Sequence, residues 1–128
     1  MDTMYVEFDL DDHYVTIDGQ PLIAIRDTIT QKPLAFIGPT NSRFNIYKDR
    51  YAKEKIMYNE SEYALKYIIK STESIHLQIL GLFGQFYKTI LNFLSIKNCI
   101  LVPGFEDSDF INYMLLCIDY VNKLVDEE

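Results

Sequence analysis

A chain of 128 residues, 48 % hydrophobic and 14 % aromatic, carries enough apolar material for one domain with its own core, which excludes a wholly disordered chain. Nineteen acids against twelve bases leave a formal charge of -7, which argues against sequence-independent binding of nucleic acid and against docking on anionic lipid. With two cysteines, Cys99 and Cys117, a disulfide framework is excluded too; both read as reduced thiols of a cytoplasmic protein, their separation left open.

Met1-Asp2-Thr3-Met4 shows no basic region followed by an apolar stretch, so no signal peptide is expected. Residues 4–10 alternate, with Met4, Val6, Phe8 and Leu10 on one side and Tyr5, Glu7 and Asp9 on the other, which predicts a half-buried strand. Tyr14-Val15-Thr16-Ile17 is a second short candidate, Asp18-Gly19 a tight turn, and Leu22-Ile23-Ala24-Ile25 a return to extended chain. Lys32-Pro33 breaks the pattern before Leu34-Ala35-Phe36-Ile37, and Gly38-Pro39 stops it. Residues 1–38 therefore read as an antiparallel meander of three or four strands.

From residue 40 onward the period becomes helical. Phe44, Tyr47 and Tyr51 recur at helical spacing, and Asn59 with Glu62 forms a capping box ahead of Tyr63, Leu65, Ile68 and Ile69. Residues 71–74 break and re-cap the chain before a long helix from about Ile75 to Ser95. On that helix Gln78, Gln85, Lys88, Asn92 and Ser95 make one narrow polar stripe, which predicts packing around most of its circumference. Too many polar residues interrupt residues 75–102 for a membrane span. Gly81 and Gly84, each costing up to about 1 kcal/mol relative to Ala, suggest close approach by another element. Cys99-Ile100-Leu101-Val102 is a short strand or extended connection. A last helix, capped by Asp107 or Ser108, turns Phe110, Ile111, Met114, Leu115, Ile118, Val121 and Val125 inward. The expected fold is α+β in a single domain over 1–128. A small N-terminal antiparallel sheet (1–38) precedes three to four packed helices (40–128).

No spacing of His, Cys, Ser or Gly reads as a catalytic or cofactor motif, so no catalytic residue, metal or cofactor is expected. Asp9-x-Asp11-x-His13 could bring two carboxylates and an imidazole together for a metal. Without a second Cys/His cluster, solvated residues in a turn are the preferred reading. His76 lacks a partner to orient it as a base, and Cys99, after Lys97, lacks the setting of a catalytic thiol. Between Arg43 and Lys70 seven bases face four acids with Tyr47, Tyr51, Tyr58, Tyr63 and Tyr67 interleaved, a pattern that suits stacked nucleic-acid bases. The overall charge favours tyrosines that pack a core with wet hydroxyls.

The acids are concentrated at the two ends. Residues 1–18 hold six acids and no base, and residues 106–128 hold seven acids against Lys123 alone. The tail is partly explained by Asp107 and Asp109 stabilising a helix N-terminus; the first cluster has no base nearby in sequence to offset it. Glu7, Asp9, Asp11, Asp12, Tyr14, Glu106, Asp107 and Asp109 are therefore the candidate partner-binding residues, and the partner a basic protein. Asn in place of Asp9, Asp11 and Asp12 together is expected to slow association while leaving folding intact.

A small acidic domain with the segments Glu7-Phe8-Asp9-Leu10-Asp11-Asp12-His13-Tyr14 and Glu106-Asp107-Ser108-Asp109, and with abundant tyrosine, resembles the bacterial immunity proteins that accompany colicin-type or contact-dependent growth-inhibition toxins. The resemblance implies tight, non-enzymatic neutralisation of a basic nuclease toxin in the cytoplasm by a monomer or weak dimer, with no direct role for nucleic acid or membrane. A viral or phage adaptor with a helical groove is the second expectation; it predicts an exposed apolar patch and indifference to salt. A small metal-dependent enzyme is the third.

Overall fold

The computed structural model describes residues 3–56, 74–103 and 107–126, with the backbone path alone for residues 10–14, 107 and 125. Five strands form one sheet: β1 (Met4–Val15), β2 (Pro21–Asp27), β3 (Pro33–Pro39), β4 (Phe44–Tyr47) and β5 (Cys99–Leu101). They lie in the order β4-β3-β2-β1-β5. The first four pair antiparallel, whereas β5 runs parallel to β1 with Met4 opposite Cys99 and Val6 opposite Leu101. Two helices complete the described residues, α1 (Ile75–Ile96) and α2 (Asp107–Asp126).

This corrects the expected architecture. The sheet is mixed and five-stranded, and two helices rather than three or four stand among the described residues. The expected helix through Phe44, Tyr47 and Tyr51 is instead β4 and a turn. Phe44 and Ile46 alternate into the core, and Asp49 then accepts backbone N–H bonds from Tyr51, Lys53 and Glu54. These bonds, that from Glu54 foremost, hold the Asp49 carboxyl below its ordinary value. Residues 54–56 then fold back on β4, with Ile56 N donating to Ile46 O at 2.8 Å. The capping box at Asn59 and Glu62 and its helix lie outside the described residues.

β1 does not turn at residues 10–13 as expected; it continues to Val15. Asp9 pairs with Ala24 and Tyr14 with Leu22, so five steps on β1 face two on β2 and three extra residues bulge from the strand. The reversal comes at Asp18-Gly19, where Gly19 takes φ 88°, a left-handed value that a Cβ disfavours. β3 also runs through the expected stop at Gly38-Pro39. A Cβ on Gly38 would collide with Leu22 Cδ2 and come within 3.0 Å of Pro21 O, so a glycine lets β2 and β3 approach there.

Alternation divides the sheet into two faces. One turns Val6, Phe8, Ile23, Ile25, Ala35, Ile37, Phe44 and Ile46 onto both helices. Phe8, Phe44, Phe86, Phe110 and Tyr113 interlock there, with ring centroids 5.3–5.8 Å apart in the pairs Phe8–Phe110, Phe44–Phe86 and Phe86–Tyr113. Truncating fully buried Phe86 to Ala would cost about 3–5 kcal/mol. The Tyr113 hydroxyl donates to Ile37 O at 3.0 Å and lies 3.2 Å from Pro21 O, tying α2 to the sheet. The opposite face buries Leu22, Ala24, Phe36 and Tyr47. β2 is thus covered on both sides, which explains its unbroken run Leu22-Ile23-Ala24-Ile25.

The Ser74 hydroxyl caps α1 by accepting from Leu77 N. The helix commits Leu82, Phe86, Ile90 and Phe93 to the core. It is long and apolar enough to cross a membrane, at a mean hydropathy of 1.3, yet this inner face is packed on the sheet. The predicted stripe marks only part of its wet side, with Lys88, Asn92 and Ser95 exposed. Gln78 is buried, while Leu80 and Leu91 are 53 % and 52 % exposed. Nor does an element press on Gly84, which has no described neighbour within 4 Å of a built Cβ.

Candidate partner-binding surfaces

The first acidic cluster lies on the sheet face turned away from the helices. Because Val6 and Phe8 face α1 and α2, strand alternation sends Glu7 and Asp9 to the other side. Arg26, directly opposite Glu7 on β2, meets both: its Nε lies 3.2 Å from Glu7 Oε1 and its Nη1 3.3 Å from Asp9 Oδ2. Gln31 Nε2 also donates to Glu7 Oε1 at 3.0 Å. The two acids that seemed uncompensated are therefore offset across the sheet by a base far away in sequence. The second oxygen of Asp9, Oδ1, is buried with no hydrogen-bond partner among the described residues.

Asp11 and Asp12 sit in the bulge of β1, and Tyr14 closes it opposite Leu22. Asp107 opens α2 and half-buried Asp109 follows in its first turn, whereas Glu106 lies outside the described residues. Since α2 packs on the face that holds Phe8, Asp109 stands on the opposite side of the sheet from Glu7 and Asp9. Among the described side chains, Glu7 and Asp9 do not share a face with Asp109.

The helical layer exposes a surface of another kind. Ile75, His76, Leu80, Phe83 and Tyr87 of α1 and Ile111 of α2 line a groove of about 550 Å³. Leu77, Leu91 and Ile96 of α1 and Leu115 and Leu116 of α2 are exposed as well, Leu116 in a separate pocket with Val15, Gly19 and Pro21. Sequence reasoning assigned Leu80, Leu91, Ile111 and Leu115 to the core. The overlooked signal was quantity: each helix carries more large apolar side chains than one buried face accepts.

The remaining candidates resolve individually. No group of three or more His, Cys, Asp or Glu stands together among the described residues, and Asp9 Oδ2 is paired with Arg26. The side chains of Asp11 and His13 lie outside them. Both cysteines are free. Burial raises the Cys99 thiol above its ordinary value despite Lys97, and Cys99 Sγ donates to Lys97 O. Cys117, fully buried and in hydrogen-bond contact with Tyr113, is pushed far higher by desolvation, as suits a core thiol. Tyr47 is buried with its hydroxyl accepting from Gln20 and Asn45, so it stacks on nothing outside the chain. Tyr51 is exposed, with Arg50 and Lys53 each 5.7 Å from its ring centroid. Tyr58, Tyr63 and Tyr67 lie outside the described residues.

Comparison with protein families, curated proteins and solved structures gives no match for this chain.

Proposed function

We propose that this chain is a non-catalytic binding domain that neutralises a basic protein partner by direct contact. The observation that carries the reading is the coincidence of a formal charge of -7 with a helical layer that exposes eight large apolar side chains among its described residues, from Ile75 to Leu116. Apolar anchors supply binding energy once water is excluded, and acids around them steer a basic partner and penalise an acidic one. A nuclease toxin is a basic protein of this description, as the resemblance to immunity proteins implies, and the cytoplasm is where such an inhibitor acts.

The test is affinity capture with the tagged chain from its native cells at low and high salt, read by native mass spectrometry. One stoichiometric basic partner, held more weakly at high salt and with its nuclease activity suppressed by added chain, is the expected result. Capture of nothing at either salt overturns the binding reading, and a captured partner whose activity is unchanged overturns the inhibitory one.

A further inference from the structure

We propose that Asp18 is a site of spontaneous aspartate isomerisation, in which Gly19 supplies the nucleophile and water is the only other reactant. The proposal goes beyond the binding reading and does not depend on it. Of the eleven aspartates in the chain Asp18 alone precedes a glycine, and no asparagine does. A glycine has no Cβ to hinder the approach of its nitrogen to the preceding carboxyl group. Both residues are exposed at the turn between β1 and β2, and no described neighbour comes within 4 Å of a Cβ built on Gly19. The aspartates of two other turns are held in place. Asp27 Oδ1 accepts from Ile29 N at 2.7 Å and from Thr30 N at 3.2 Å, and Asp49 accepts from Tyr51, Lys53 and Glu54. The Asp18 carboxylate has no hydrogen-bond or ion-pair partner among the described residues, and it borders open clefts toward α2 and toward Tyr51.

In the reaction the Gly19 nitrogen attacks Asp18 Cγ and gives up its proton, a carboxyl oxygen leaves as water, and a five-membered succinimide closes. Water then reopens the ring. Attack at Cγ restores aspartate, whereas attack at the main-chain carbonyl carbon of Asp18 routes the chain through Cβ and Cγ and leaves the α-carboxylate free. One water is lost and one regained, so the mass and formal charge of the chain are unchanged. The Gly19 N–H must first leave Thr16 O, 2.9 Å away, and a single bond in an exposed turn is among the easiest in a fold to open. The product carries one more main-chain atom between Thr16 and Gln20, whose backbone N–H and C=O pair at 3.1 Å. Turn length sets hairpin geometry, and buried Gln20 donates to Pro39 O and to the Tyr47 hydroxyl, so the longer turn strains contacts inside the fold.

The experiment incubates the full folded chain in warm neutral buffer for several weeks, with a free peptide of residues 14–22 beside it. Isoaspartate is mapped by mass spectrometry with electron-transfer fragmentation, which separates the two isomers despite their equal mass. Isoaspartate at position 18 should accumulate at least about fivefold faster than at any other aspartate of the chain. Asp18→Glu keeps the charge but would have to close a six-membered ring, and it should remove the signal. Accumulation at position 18 no faster than at Asp27 or Asp49 overturns the inference. So does isomerisation of the free peptide with none in the folded chain, which would show that the turn protects Asp18. A signal that survives Asp18→Glu places the chemistry elsewhere and overturns the assignment. The isoaspartate form, separated by chromatography, should unfold at a lower urea concentration than the unchanged chain, and an equal midpoint overturns the link to Gln20.

Discussion

Replacing Arg26 with Met removes a guanidinium that faces two carboxylates and leaves Asp9 with no described partner for either oxygen. At N–O distances of 3.2 and 3.3 Å each pair has a gross attraction of about 5 kcal/mol at an effective dielectric of about 20, most of it offset by desolvation. Exposed pairs contribute less than about 1 kcal/mol net, whereas breaking a fully buried pair costs about 3–5 kcal/mol. The Arg26 and Asp9 side chains, 23 % and 14 % exposed, fall between these limits, so a loss of about 2 kcal/mol is expected. For 128 residues that lowers Tm by about 7 °C. Chemical unfolding of wild type, Arg26→Met, Asp9→Asn and the double variant closes a cycle, whose coupling term should reach at least about 1 kcal/mol. A change below about 0.5 kcal/mol for Arg26→Met, or no coupling, would refute the reading and make the cluster a solvated pair. The outcome also bears on function: if Asp9 stabilises the sheet, Asn at Asp9, Asp11 and Asp12 together weakens the fold as well as any binding. Asp11→Asn with Asp12→Asn, leaving Asp9 in place, then isolates the contribution of the bulge to association.

Three further predictions concern the fold that holds the groove. Burial keeps the Cys117 thiol and the Tyr113 hydroxyl well above their ordinary values of 9.0 and 10.0, so both remain protonated in the fold while the unfolded chain ionises. Their stabilisation is complete below pH 9 and is lost above it, at about 1.4 kcal/mol per pH unit for Cys117 and again for Tyr113 beyond pH 10. Urea midpoints that stay level from pH 8 to 10.5 would contradict this, and Cys117→Ala should remove the part that begins at pH 9. Gly84→Ala, on an exposed turn of α1 with room for a methyl group, should raise stability by up to about 1 kcal/mol; a lower Tm would show that the backbone there needs glycine. Gly38→Ala should cost about 1–3 kcal/mol, because its methyl group meets Leu22 and the Pro21 carbonyl, and a Tm equal to wild type would disprove the close approach.

What the sequence makes legible here is local, and what it hides is set by distant residues. The alternation of Val6 and Phe8 with Glu7 and Asp9, the Gly19 turn, the Ser74 cap and the inward Phe110, Met114, Ile118 and Val121 of α2 each follow from neighbours within a turn or a strand. β4 escapes because four residues, Phe44–Tyr47, are too few to separate a period of two from one of 3.6. β5 is legible as a short strand or extended connection, but its parallel pairing is not, because its partner, β1, lies more than ninety residues away. The same distance rule governs the candidate surfaces. The acids of residues 1–18 look unopposed until the register of β2 brings Arg26 against Glu7. On α1, Leu80 and Leu82 are equivalent by composition, yet the sheet covers Leu82 completely and leaves Leu80 half exposed. A helix that offers more apolar surface than the sheet can cover must leave the excess in water, at roughly 25 cal/mol for each Å² left uncovered. Among the described residues, the groove lined by Leu80, Phe83 and Ile111 is where that excess gathers.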